Sequence, residues 1–129
     1  MKKISYILLL FCFCATAQQT AVDSMLVVLK KSKSNLENDK TLNAIADTYK
    51  TSDPNLMLTF GNMALKLSKK INNKQEMGNA YHHLGNANII LGNYAVALDY
   101  FSKEQEVFEN LLAQTTTLDK TDWQEPMAV

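Results

Sequence analysis

His82 and His83 are the only imidazoles in the chain, and they are the first place to look for chemistry. A helix turns about 100° per residue, so side chains adjacent in sequence point apart, whereas a helical metal pair needs i, i+4 spacing. The two rings therefore cannot chelate one ion in that manner. His82 instead shares a polar face with Asn79 and Asn86, at i, i+3 and i+7. Lys40, Asn43 and Asp47 repeat the same spacing upstream. Asparagine donates and accepts at once, which suits the backbone of an extended polypeptide, and lysine suits a carboxylate. The plainer role for both triplets is wetted helix surface. Lys103-Glu104-Gln105-Glu106 reads as a solvated face, and nothing singles out two carboxylates as an acid–base pair. HExxH, a glycine-rich phosphate loop and GxSxG are all absent. No catalysis, no bound metal and no cofactor are expected.

Thiol chemistry is excluded on other grounds. Cys12 and Cys14 lie in a leader-like start, where Lys2 and Lys3 precede the apolar run from Ile4 to Ala15. Ala15-Thr16-Ala17 then supplies the small-x-small pattern of a signal-peptidase site. The run has twelve residues, well short of the ~20 needed to span a membrane. Residues 1–17 are thus expected to leave as a signal peptide, with no membrane insertion afterwards, and the mature chain to be periplasmic or secreted. An uncleaved anchor is the rival reading. Lipoprotein processing fits less well, because Phe11 and Phe13 precede the cysteines. Cleavage after Ala17 removes both thiols, leaving no disulfide and no Cys-ligated zinc.

The 129 residues are 47% hydrophobic and 20% charged, ordinary composition for one domain. Net charge is zero, but it is unevenly spread. Asp23 to Lys74 holds nine lysines against five acids, and Gln75 onward holds two lysines against eight acids. Solvated helix faces are the plain reading of that split, and a weak head-to-tail contact between copies is the sharper one. Arginine is absent, which removes the bidentate grip on phosphate and base edges, so nucleic acid is not an expected partner.

The elements that must position these residues are helices, because apolar residues recur at helical spacing and no stretch strictly alternates. The pattern predicts a first helix over Ala21 to Lys33 and a polar break beginning at Ser34-Asn35. A second follows from Asp39 to Lys50, with Leu42, Ile45, Ala46 and Tyr49 on one stripe. Ser52-Asp53-Pro54 starts a third, which runs to about Lys70 before the turn Asn72-Asn73. A fourth runs from about Lys74 to Leu91, Gly92-Asn93 breaks it, and a fifth runs from Tyr94 to about Leu112. Gln114 to Val129 lacks helical periodicity and reads as a loose tail, in which Trp123 stands alone.

Residues 78–108, GNAYHHLGNANIILGNYAVALDYFSKEQEVF, carry a more specific pattern. Gly85 and Ala97 are small enough to let two helices approach, with Tyr81, Leu84, Tyr94 and Phe101 filling the volume around them. Gly92 suits the reversal between the helices. This spacing resembles the tetratricopeptide repeat. A weaker copy lies upstream: Leu42, Ile45, Ala46 and Tyr49 match Tyr81, Leu84, Gly85 and Asn88, while Pro54 and Met57 match Tyr94 and Ala97. Ala64 takes the small position that Glu104 occupies later, so the face bearing Glu104 is expected to meet water or an unusual neighbour.

The resemblance implies an all-α solenoid of tetratricopeptide-type hairpins, about five helices in a right-handed stack. It divides the chain into a signal peptide (1–17), a leading or capping helix and break (18–38), a weak repeat (39–73), a clear repeat (74–112) and a loose tail (113–129). In this family the first helix of each hairpin lines the concave groove, which assigns Lys40, Asn43, Asp47, Asn79, His82 and Asn86 as candidate peptide contacts. The stretch from Asp23 to Leu112 is similar to the periplasmic repeat region that opens certain bacterial sensor kinases and regulators. Polypeptide binding, as a scaffold or sensory module, is the expected function. The alternative is a truncated remnant of such a signalling protein without independent activity.

Overall fold

The computed structural model describes residues 19–122, with side chains to residue 118. Among the described residues there are five helices and no strand: α1 (residues 19–31), α2 (Asn35–Thr48), α3 (Pro54–Ile71), α4 (Lys74–Ile90) and α5 (Tyr94–Asp122). The protein is all-α. Residues 1–17, expected to be a signal peptide, with both cysteines, and Trp123 lie outside the described residues.

Local capping fixes most of the boundaries. Asp53 is the N-cap of α3, its carboxylate accepting from the Asn55 and Leu56 N–H groups at 3.0 Å, and Pro54 follows at the first helical position. Asn72 closes α3 in the left-handed region (φ 55°), and Lys69 and Lys70 stand in its last turn. Gly92 (φ 78°) reverses the chain between α4 and α5, donating to the Ile89 carbonyl while the Asn93 N–H reaches Asn88 O at 2.8 Å.

Two boundaries differ from the sequence expectation by a full turn or more, and the others by two residues at most. Helix α2 begins at Asn35, a turn before Asp39, because Ser34 caps it by accepting from the Glu37 N–H at 3.3 Å. Ser34 and Glu37 have the S-x-x-E spacing of a capping box, although the Glu37 carboxylate here accepts from the Ser32 hydroxyl at 2.7 Å. The stretch from Gln114, read as loose, continues α5 to Asp122. Helix propagation adds one hydrogen bond per residue and needs no apolar stripe, and no glycine or proline intervenes after Gly92 until Pro126.

Each helix from α2 onward packs on its neighbour in sequence, and α2 also reaches α4, whereas among the described residues the α3 and α5 backbones stay more than 8 Å apart. The core runs along this stack. Ile45, Ala46, Met57, Ala64, Ala80, Leu84, Ala87 and Ala97 are fully buried, and Leu29 of α1 packs with Phe60, Leu65 and Leu67 against Leu42, Ala64 and Ala80. Small residues let the backbones approach: Gly61 lies against Leu84, Gly85 against Phe101 and Gly78 against Phe108. Among the described residues no helix is long and apolar enough to cross a membrane.

Candidate binding face

The two polar triplets sit on α2 and α4, the helices that touch across the stack. Lys40, Asp47 and His82 are exposed, and Asn79 and Asn86 are half-buried. Asp47 pairs with Lys50 at 3.2 Å, an exposed contact of little energetic weight. The i, i+3, i+7 spacing keeps each set along one face of its own helix.

Asn43 departs from the groove expectation. It is buried, and its amide donates to the Glu76 carbonyl at 3.1 Å and to the Glu76 carboxylate at 2.9 Å. The reason is positional. Asn43 and His82 hold corresponding places on α2 and α4, but α4 lies over Asn43, while His82 reaches sideways to α5. There its Nδ1 stands 3.0 Å from Glu104, which is only partly exposed. The carboxylate at the place where a small residue was anticipated thus has an imidazole for a neighbour.

Beneath the face runs a polar seam that the sequence reading did not identify. Asp39 and Asn43 on α2 meet Asn73 at the cap of α4 and Glu76 within it. Asn73 donates to Asp39 at 3.2 Å, and Asn79 joins Asn43 on the Glu76 carboxylate at 3.2 Å. Asp39 is fully buried. Burial, with the nearby Glu76 carboxylate adding to it, pushes its pKa up to about 6, against the opposing hydrogen bond from Asn73. His83, the buried neighbour of His82, is pushed the other way: burial lowers its pKa, and the Asp47 carboxylate only partly offsets this. Buried carboxylates on facing helices, each with an asparagine aimed at it, form a built polar layer. Its sequence signal was the i, i+4 pair Asp39–Asn43 opposite the i, i+3 pair Glu76–Asn79, visible only once the two helices are known to face each other.

The residues singled out for packing fall mostly where close helix contact needs them. Leu84 and Ala97 are fully buried, Tyr81 is buried with its ring 6.2 Å from that of Tyr100, and Phe101 rests on Gly85. Tyr94 does not fill the interior as anticipated; it is 67% exposed. It occupies the first position of α5, on the same side as Leu98, level with the turn where α4 has already ended at Ile90. Among the described residues no group of three His, Cys, Asp or Glu side chains could hold a metal ion. No family model, curated protein or solved structure matches the chain.

Proposed function

We propose that the protein is an exported repeat module of the tetratricopeptide type that binds an extended polypeptide along the face formed by α2 and α4. The observation that carries this is the asymmetry of the stack: α2 meets α4, whereas α3 and α5 stay apart among the described residues. First helices that touch while second helices splay make a curved stack with the first helices on its inner side. Lys40, Asp47, Asn79, His82 and Asn86 then line that inner side, offering amide donors and acceptors to a peptide backbone and charges of both signs to its side chains. The buried seam behind them holds α2 and α4 in register, so the face is presented by paired helices.

A displayed library of random peptides, selected on the immobilised protein, tests this reading. Selected peptides are expected to lose at least tenfold in affinity against Asn79→Ala/Asn86→Ala, which corresponds to about 1.4 kcal/mol. They should bind Asp99→Ala, on α5, as they bind the parent. Equal loss in both variants, or failure to select any peptide, would count against the groove. Export has its own check, since intact-mass measurement of protein recovered from outside the cytoplasm should find a chain beginning at Gln18. Retention of residues 1–17 would support an anchor instead.

A further inference from the structure

Two apolar surfaces of the helix stack differ in a way that the binding face does not explain. On α5, Tyr94, Leu98 and Leu112 lie on one side of the helix and are 67%, 68% and 67% exposed. Phe101 and Phe108 are half-buried along the same line, giving a 4-3-4 apolar rhythm interrupted only by Gln105. Glu109 borders this stripe on its exposed side, Glu104 borders it on the side toward α4, where His82 holds it, and Lys103 sits on the opposite side of the helix. On the α2–α3 hairpin, beside α1, Leu42 of α2 with Met63 and Leu67 of α3 form an open groove of about 350 Å³, whose charged residues are Lys66 and Lys70. Met63 is 48% exposed there. One surface is therefore apolar with an acidic margin, and the other is apolar with a basic margin. The whole chain follows the same division, with nine lysines against five acids from 23 to 74 and two lysines against eight acids from 75 onward.

We propose that these two surfaces are complementary, and that the occupant of the lysine-rimmed groove is the α5 stripe of a second copy of the same chain. Apolar contact alone is too small to hold the pair, and the attraction between the lysine and glutamate margins both completes it and sets its direction. Like-with-like pairing would place Glu104 and Glu109 against their own copies on one surface and Lys66 and Lys70 against theirs on the other, so it is disfavoured on both. The contact is heterologous. It does not close on itself, and each copy retains one free groove and one free stripe. Association therefore continues past the dimer as concentration rises, and weakens in salt because Lys66, Lys70 and Glu109 are exposed.

Sedimentation velocity on the purified protein and two variants tests the proposal. Lys66→Glu/Lys70→Glu spoils the groove and leaves the stripe; Leu98→Glu/Leu112→Glu spoils the stripe and leaves the groove. All four positions are on the surface, and circular dichroism confirms that each variant folds. Lys66→Gln/Lys70→Gln and Leu98→Ser/Leu112→Ser replace any that does not. The parent is expected to grow through dimer and larger species at low salt and to return toward monomer in about 1 M salt, where the Debye length is about 3 Å. Each variant alone should remain monomeric, and an equimolar mixture should form a one-to-one dimer and stop there, because it holds one intact groove and one intact stripe per pair. A parent that stays monomeric at every concentration would overturn the proposal. So would a dimer that ignores salt, or a groove variant that still dimerises alone, since that pairing would run stripe to stripe.

Discussion

The ring of Phe101 occupies the notch that Gly85 leaves on α4. A Cβ placed on Gly85 would stand 2.5 Å from Phe101 Cε1 and 2.8 Å from Cδ1 and Cζ, well inside any tolerated contact. Gly78 and Phe108 stand in the same relation, with a Cβ there 2.5 Å from Phe108 Cζ. The two glycines are seven residues apart, as are the two phenylalanines, so antiparallel helices meet through a pair of ring-on-glycine contacts two turns apart. His82 flanks the same junction, its ring 6.1 Å from that of Phe101. The α4–α5 hairpin is thereby held in one register.

Gly85→Leu should lower stability by about 1–3 kcal/mol through overpacking. Combining it with Phe101→Ala, which empties the space the new side chain needs, should return part of that loss. Circular dichroism melts of the parent, both single variants and the double variant would measure the coupling. A Gly85→Leu midpoint equal to the parent's would mean that α4 and α5 do not pack through this contact.

Asn43→Leu should cost about 1–3 kcal/mol, because it removes the nearest donor from the Glu76 carboxylate and leaves that buried group with Asn79 as its remaining side-chain donor. Lys40→Leu, three residues away on the exposed side of α2, should change stability by no more than about 0.5 kcal/mol. Urea unfolding of the two variants separates a buried seam from a wetted face. Equal effects would count against the seam.

What could be read from the sequence, and what could not, divides by range. The Asp53-Pro54 start of α3 and the Gly92 reversal were legible because a cap or a positive φ depends on a few neighbouring residues. The closeness of α4 and α5 was legible at Gly85 and Ala97, where only a small side chain fits, and Glu104 already stood out as a carboxylate in a small residue's place. The fate of Asn43 was not legible. On α2 alone it shares the polar side with Lys40 and Asp47, and only the position of α4 turns it inward. Tyr94 misled in the opposite direction, since an aromatic at a family packing position was assumed to face the interior. The helical run beyond Gln114 is not legible because residues 114–118 are exposed, and apolar periodicity reports burial, not backbone conformation.

That last segment yields a prediction of its own. Residues 114–118 are exposed, and the Thr115, Thr116 and Thr117 hydroxyls bond back to carbonyls of their own helix. Replacing Thr115, Thr116 and Thr117 by glycine should therefore reduce the helical signal while changing unfolding stability by no more than about 0.5 kcal/mol. Thermal melts of the variant and the parent provide the comparison. A clear fall in midpoint would show that the extension packs on the stack.

Asp39 links the seam to pH. Its folded pKa of about 6 lies above its ordinary value of 3.8, so between these limits the folded protein binds more protons than the unfolded chain. Stability then falls as pH rises from about 4 to about 6, and above that window the full cost of an ionised, buried carboxylate is present. The direction is opposite to that of a salt-bridged aspartate. Asp39→Asn keeps an oxygen able to accept from Asn73 and removes the charge that both burial and Glu76 oppose. The variant should be more stable than the parent by roughly 1–2 kcal/mol at pH 8, and the two should converge near pH 4. His83 contributes with the reverse sign, since a lowered pKa loses stability as pH falls below the ordinary histidine range, and it does so equally in both proteins. The difference between the two stability profiles, measured by urea unfolding from pH 4 to pH 8, therefore isolates Asp39. A difference that stays flat across that range, or that grows toward acid, would mean that Asp39 is ionised without penalty in the folded protein and that the seam does not bury it.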